Sequence, residues 1–213
     1  MSTVFVVDDD PAILKAIARL LAAAGREVQT YASPREFLER HDRSAPGCLL
    51  LDLAMPGSSG LELQQALAAE GAERAVVFIS GRGDIPTSVE AMKAGAVDFL
   101  TKPFDAERLL AAVDTAIDKD ALARRARAER RRIEDRLATL TLRERQVLEH
   151  VVAGQLNKHI AADLGTVEKT VKVHRGRLMR KMGAVSLIDL VRMADLAGIR
   201  PSAARPITRD LGP

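Results

Sequence analysis

The 213-residue chain has one cysteine, no tryptophan and one tyrosine, and aromatic residues make up only 3% of it. A lone cysteine excludes an intrachain disulfide and a cysteine-rich metal site. Cys48 is followed by Leu49, Leu50 and Leu51, which predicts a buried thiol with no redox task. The scarcity of aromatics leaves little to stack single-stranded bases on. No apolar run approaches the roughly 18 residues that cross a bilayer, and Asp8 interrupts the first one too early for a signal peptide. A cytoplasmic protein with no membrane partner is the expectation.

The length suits two domains, and charge divides along it. Residues 1–120 hold 12 Lys and Arg against 19 Asp and Glu, while residues 121–213 hold 20 against 10. An acidic front and a basic back call for different partners. Either nucleic acid or an anionic surface would suit the basic half, so pattern has to decide.

The front half alternates. Apolar runs at 3–7, 48–53, 75–80 and 97–101 read as buried strands, with a more alternating one at 26–31. Helical stretches at 11–24, 34–40, 59–69, 85–94 and from 105 onward separate them. Near-continuous apolar strands spaced by helices imply an α/β doubly wound, five-stranded parallel sheet covered on both faces. Ligands of such sheets bind beyond the carboxyl ends of the strands. Asp8 and Asp9, Asp52, Ser80 and Lys102 follow or close four of those runs, so one rim should gather them. Crowded carboxylates favour a hard divalent cation, Mg²⁺ among them. A lysine and a small hydroxyl at the same rim suit phosphoryl oxygens, and Asp52 then reads as the nucleophile in phosphoryl transfer. Asp10 precedes Pro11 and reads instead as a helix N-cap.

The segments "VVDDD", "LLLDLAMPGSSG", "ISGRGD" and "AMKAGAVDFLTKPF" fall in the order and spacing of a bacterial response-regulator receiver domain, which residues 1–120 resemble. The resemblance implies a flavodoxin-like fold and Asp52 as phosphoacceptor. It implies Mg²⁺ ligation by Asp8, Asp9, Asp52 and the backbone carbonyl of Ala54. It assigns Lys102 to phosphate pairing, with Ser80 as switch hydroxyl and Phe99 as switch aromatic. Ser80 is the shorter of two usual hydroxyls, and Phe99 stands where tyrosine is common. Haloacid-dehalogenase-type phosphatases also use an aspartyl nucleophile, in a D-x-D motif. Pro11 stands where that motif wants threonine or valine, and the α/β pattern ends too early for its later acids.

Residues 121–138 read as a helical linker, dense in arginine, whose charges serve as a solvated face or as a phosphate-touching or coiled-coil segment. Helices are expected at 142–152, 156–163, 168–182 and 186–197, the first opened by a Thr141–Glu144 capping box. This small all-α region, 139–200, resembles the LuxR-type helix-turn-helix domain, and its pairing with a receiver matches the NarL/FixJ family. A tail, 201–213, follows. The second helix of the motif, 168–182, should enter the major groove. Its spacing turns Val171, Leu178 and Met182 inward and Lys169, Lys172, Val173, Arg175 and Gly176 outward. The expected DNA contacts are Asn157, Lys158, Lys169, Thr170, Lys172, Val173, His174, Arg175 and Lys181; packing competes with contact for His174. Val167 stands where the family often caps with serine, so Thr166 could cap instead or the helix start could shift. Leu187, Leu190, Val191 and Ala194 form a stripe suited to core packing or to pairing output domains.

These readings predict a regulator rather than an enzyme. A sensor histidine kinase supplies the phosphoryl group, the phosphorylated chain forms a homodimer, and the dimer binds double-stranded DNA. The competing expectation, an output that binds RNA or protein, fits the helix-turn-helix spacing less well.

Overall fold

The computed structural model describes residues 2–69, 71, 74–81 and 85–199. Residues 82–84 of the "ISGRGD" segment and the 201–213 tail lie outside the described residues. Contacts divide the chain into two units, Met1–Arg124 and Arg125–Pro213.

In chain order the first unit holds β1 (Thr3–Val7), α1 (Pro11–Ala23), β2 (Glu27–Tyr31), α2 (Pro34–Arg40) and β3 (Gly47–Asp52). A short antiparallel pair follows, β4 (Ala54–Met55) and β5 (Ser58–Ser59), then α3 (Gly60–Ala69), β6 (Ala75–Ser80), α4 (Ile85–Lys93) and β7 (Asp98–Thr101). The last helix, α5, runs Ala106–Ala138, and its residues from Arg125 on belong to the second unit. The five-stranded sheet is parallel throughout, in the order β2-β1-β3-β6-β7.

Both faces of the sheet are covered, which is why its inner strands read as unbroken apolar runs. Val4, Val6, Leu50, Val77 and Ile79 face Ile17 and Leu21 of α1 and Leu109 and Val113 of α5. The alternate residues Phe5, Val7, Leu49, Leu51 and Phe78 face Phe37 of α2, Leu63 and Leu67 of α3 and Ala91 of α4. Each such fully buried side chain is worth roughly 1.5–3 kcal/mol, so the two layers dominate the stability of the unit. β2 lies at an edge and buries only Tyr31, matching its alternating sequence.

The small pair β4–β5 was not expected, since two-residue strands carry no periodicity to read. Gly47 opens β3 at φ +140°, where an added Cβ would stand 1.8 Å from the Thr3 carbonyl oxygen. Its N–H donates to the buried Asp120 carboxylate at 2.9 Å. The same carboxylate oxygen accepts from Arg124 Nε at 2.8 Å, and Arg124 Nη1 donates to the Ser44 carbonyl at 2.8 Å. These bonds tie α5 to the first unit through Arg124, beyond the expected end of the receiver at 120.

The second unit is helical: the remainder of α5, then α6 (Leu142–Val152), α7 (Asn157–Asp163), α8 (Glu168–Met182) and α9 (Leu187–Leu196). Ile133, Leu137, Val147, Leu148, Val151, Ile160, Val171, Leu178, Met182 and Leu190 share its core. The capping box forms in both directions: Thr141 N–H donates to Glu144 Oε2 at 2.9 Å and Glu144 N–H to Thr141 Oγ1 at 3.3 Å. α8 starts at Glu168 with Val167 at the cap and no side-chain capping bond, so neither the Thr166 alternative nor a shifted start applies.

Candidate functional site

The parallel register brings the carboxyl ends of β1, β3, β6 and β7 to one rim. Asp8 follows β1 and is fully buried; Asp52 closes β3 and is 4% exposed; Ser80 closes β6 and is buried. Lys102 follows β7, and its N–H donates to the Ser80 carbonyl at 2.8 Å, fastening the last two strand ends together. Its ammonium donates to Asp8 Oδ2 at 2.6 Å and to Asp52 Oδ1 at 2.7 Å. The remaining oxygens are held by backbone: Asp8 Oδ1 accepts from Asp10 N–H at 2.9 Å, and Asp52 Oδ2 from Ala54 N–H at 2.9 Å. Four residues far apart in sequence thus converge, and one cation serves two buried anions.

That imbalance shapes the electrostatics. Burial raises the Asp52 carboxyl above its usual range, and Asp8 adds to the rise against the lowering by Lys102. Burial would lower Lys102, but hydrogen bonds from it to Asp52 and Asp8 and their charges prevail and hold it above its usual value. Burial thus works against both charged forms, and the two carboxylates facing one ammonium decide the direction for the lysine.

The triplet Asp8-Asp9-Asp10 divides as its neighbours dictate. Asp8 points into the cluster, Asp9 is exposed beside it, and Asp10 caps α1 by accepting from Ala12 N–H at 2.8 Å ahead of Pro11. Phe99 is half-buried at the edge of the layer formed by Phe78 and Leu51. Gly60 lies where a Cβ would meet the Asp52 carbonyl oxygen at 2.4 Å, so the residue opening α3 sets how closely that helix approaches the rim. Sequence pattern alone gave no reason to single it out.

Among the described residues no group of three or more His, Cys, Asp or Glu side chains is arranged to hold a metal ion. In the cluster the Lys102 ammonium stands between Asp8 and Asp52. The donor chemistry nevertheless suits a hard cation: the oxygens of two buried carboxylates, an exposed third at Asp9 and an uncompensated negative charge.

The second unit carries the helix-turn-helix. Along α8, Val171, Leu178 and Met182 are buried, while Lys169, Lys172, Val173 and Gly176 are exposed. Lys158 on α7 is exposed; Asn157, Thr170, His174 and Arg175 are half-buried. Arg175 Nη1 donates to Asn157 Oδ1 at 3.2 Å, joining the two helices of the motif across its outward side. Lys172 pairs with Glu168 at 3.2 Å in a solvent-exposed i,i+4 contact of little energetic weight. His174 Nδ1 is buried and unpartnered among the described residues, which favours packing over contact. Lys181 differs from its neighbours. Its ammonium donates to Glu144 Oε2 at 2.7 Å and to the Thr139 carbonyl at 2.9 Å, locking the capping box rather than standing free for a phosphate. On α9, Leu190, Met193 and Ala194 enter the core, whereas Leu187 and Val191 of the expected stripe remain 40% and 39% exposed and Ile188 82%. No helix among the described residues is long and apolar enough to cross a membrane.

A parallel sheet with this acidic rim, joined on one chain to a helix-turn-helix unit, defines a response regulator with a DNA-binding output. Comparison with known proteins agrees. Residues 4–114 match the response regulator receiver domain, and residues 138–194 match the luxR family of bacterial regulatory proteins. The transcriptional regulatory protein FixJ of Azorhizobium caulinodans is 47% identical over 199 residues, covering 93% of this chain and 94% of that one. The response regulator protein TodT of Pseudomonas putida is 46% identical over 195 residues, covering 91% and 86%. Among solved structures, the response regulator StyR matches with a TM-score of 0.81 at 45% identity, covering 91% of this chain and 98% of that one. The chain belongs to the NarL/FixJ family of two-component response regulators. It is a transcriptional regulator and not an enzyme, which removes the dehalogenase-type alternative.

Proposed function

We propose that Asp52 is the phosphoacceptor and that its phosphorylation, by a sensor histidine kinase, controls binding of the output domain to duplex DNA. The observation carrying this reading is the Lys102 ammonium shared by Asp8 and Asp52 at 2.6 and 2.7 Å. An Asp52 oxygen attacks phosphorus, a P–O bond forms, and the P–N bond to the donor histidine breaks. Lys102 already faces Asp52 and can follow the new negative charge onto a phosphoryl oxygen. The fixed bond from Ala54 N–H orients the carboxylate for that attack. Asp8, Asp9 and Asp52, with the Ala54 carbonyl, would hold Mg²⁺, which when bound neutralises charge on the transferring group.

Phosphorylation adds roughly two negative charges beside Ser80, the switch hydroxyl, and Phe99, the switch aromatic, is half-buried enough to change packing in response. The resulting population shift favours a homodimer. The dimer reads DNA with Lys169, Thr170, Lys172, Val173 and Arg175, supported by Asn157 and Lys158 on backbone phosphates. Its kinase and its DNA meet it in the cytoplasm.

The test is duplex binding measured with and without a small-molecule phosphodonor, for the wild type and Asp52→Asn. Tightening on phosphodonor in the wild type alone is expected. Equal tightening in both would place the acceptor elsewhere.

A further inference from the structure

We infer that exposed arginines of α5 within residues 125–132 form a second phosphate-contacting surface for duplex DNA, outside the helix-turn-helix. This deepens the DNA-binding reading above and rests on it.

The structure sorts the seven arginines between positions 124 and 136 by what each one holds. Arg124 is bonded to Asp120 and the Ser44 carbonyl, Arg130 pairs with Glu134 at 2.9 Å, and Arg136 Nη1 donates to the Met182 carbonyl at 2.7 Å. Arg127 also has a partner. Arg125, Arg131 and Arg132 are exposed and hold no hydrogen bond or ion pair among the described residues. Between 125 and 132 the helix carries five arginines against one acid, Glu129. Like charges four residues apart on a helix, such as Arg127 and Arg131, destabilise it by a few tenths of a kcal/mol. A surface helix that needs only solubility would interleave its signs. This one repels itself, and a polyanion relieves that repulsion.

Its attachment favours duplex DNA as the polyanion. Ile133 is fully buried in the core of the second unit, and the Arg136–Met182 bond fixes the same helix to the C-terminal end of α8. Arg131 and Arg132 therefore stand within one turn of a residue anchored in the DNA-binding unit. Arg125 lies eight residues from Ile133, about 12 Å along the helix at ~1.5 Å per residue. A duplex strand carries one phosphate per ~3.4 Å of its axis, so this length of helix can lie along several of them.

The test uses the full chain and a fluorescein-labelled duplex of arbitrary sequence, with affinity measured across a salt series. Each phosphate contact adds about 0.9 to the slope of log affinity against log salt. The triple variant Arg125→Gln, Arg131→Gln, Arg132→Gln should lower that slope by about two to three units, while the three corresponding Lys variants together retain it. An unchanged slope in the Gln variant, with the wild type still binding duplex, overturns the arm and leaves the helix-turn-helix reading intact. A loss as large in the Lys variant also overturns it, since that marks a structural role. Failure of the wild type to bind duplex at any salt, or tighter binding to single-stranded RNA lost in the Gln variant, overturns both.

Discussion

Lys102 Nζ stands 2.7 Å from Asp52 Oδ1 with the lysine side chain only 20% exposed, and the same nitrogen holds Asp8. The lysine is thus the standing counter-ion of the proposed acceptor, and it leaves the cluster one negative charge in excess. Several properties of the chain depend on that imbalance.

Lys102→Met should destabilise the receiver by about 3 kcal/mol, because two buried carboxylates would lose the one ion-pair partner they share among the described residues. Thermal unfolding of the full chain checks it, together with loss of phosphoryl uptake. An unchanged midpoint would mean that solvent already neutralises the pair.

Asp52→Asn should act in the opposite direction on stability. The folded-state carboxyl lies above its usual value through burial, so its contribution is favourable at low pH and is lost as pH rises through the folded value. Near neutrality the charged form is therefore a cost, and removing it should raise the midpoint by roughly 4 °C per kcal/mol recovered. The gain should shrink in acid, where the wild-type carboxyl is protonated. A lower midpoint near neutral pH would contradict this.

In the output domain, Lys181 and the Thr141 N–H hold the Glu144 carboxyl down to about 2. A depressed carboxyl contributes stability above its unfolded value and loses it as pH falls through the folded one. The wild-type domain should lose this stability as pH falls from the ordinary carboxylate range to about 2, and Lys181→Met should weaken that pH dependence. Because Lys181 is spent on Glu144 and Thr139, the same variant should leave the salt slope of DNA binding unchanged. A fall of about one unit would return Lys181 to the phosphate contacts.

Burial pushes the Cys48 thiol up to about 12, deep in the layer under α1 and α5. A disulfide reagent should therefore label it only when the receiver unfolds, at a rate that tracks denaturant. Rapid labelling of the native chain would show that β3 opens locally.

Much of this architecture was legible in the sequence because its signals are local or periodic. The inner strands are buried on both faces and so read as apolar runs, and Asp10-Pro11 and Thr141–Glu144 are caps spelled out within four residues. The convergence of Asp8, Asp52, Ser80 and Lys102 followed from a topological rule about strand ends. Partnerships across long separations left no such trace. Nothing near Lys181 points to Glu144, 37 positions away, and nothing near Asp120 points to Gly47 at 73. The stripe on α9 was divided for a similar reason. Helical spacing identifies an apolar face, but only packing shows that Leu190 and Ala194 enter the core while Leu187 and Val191 remain exposed.

Chemical mapping reads directly whether Asp52 takes the phosphoryl group. The chain is treated with a small-molecule phosphodonor and Mg²⁺, then with borohydride, which reduces an aspartyl phosphate to homoserine, and its peptides are sequenced by mass spectrometry. Homoserine is expected at position 52 alone, and absent when the phosphodonor is omitted. Homoserine at position 8 or 9, or an unmodified position 52 in a chain that has taken up phosphate, would contradict it.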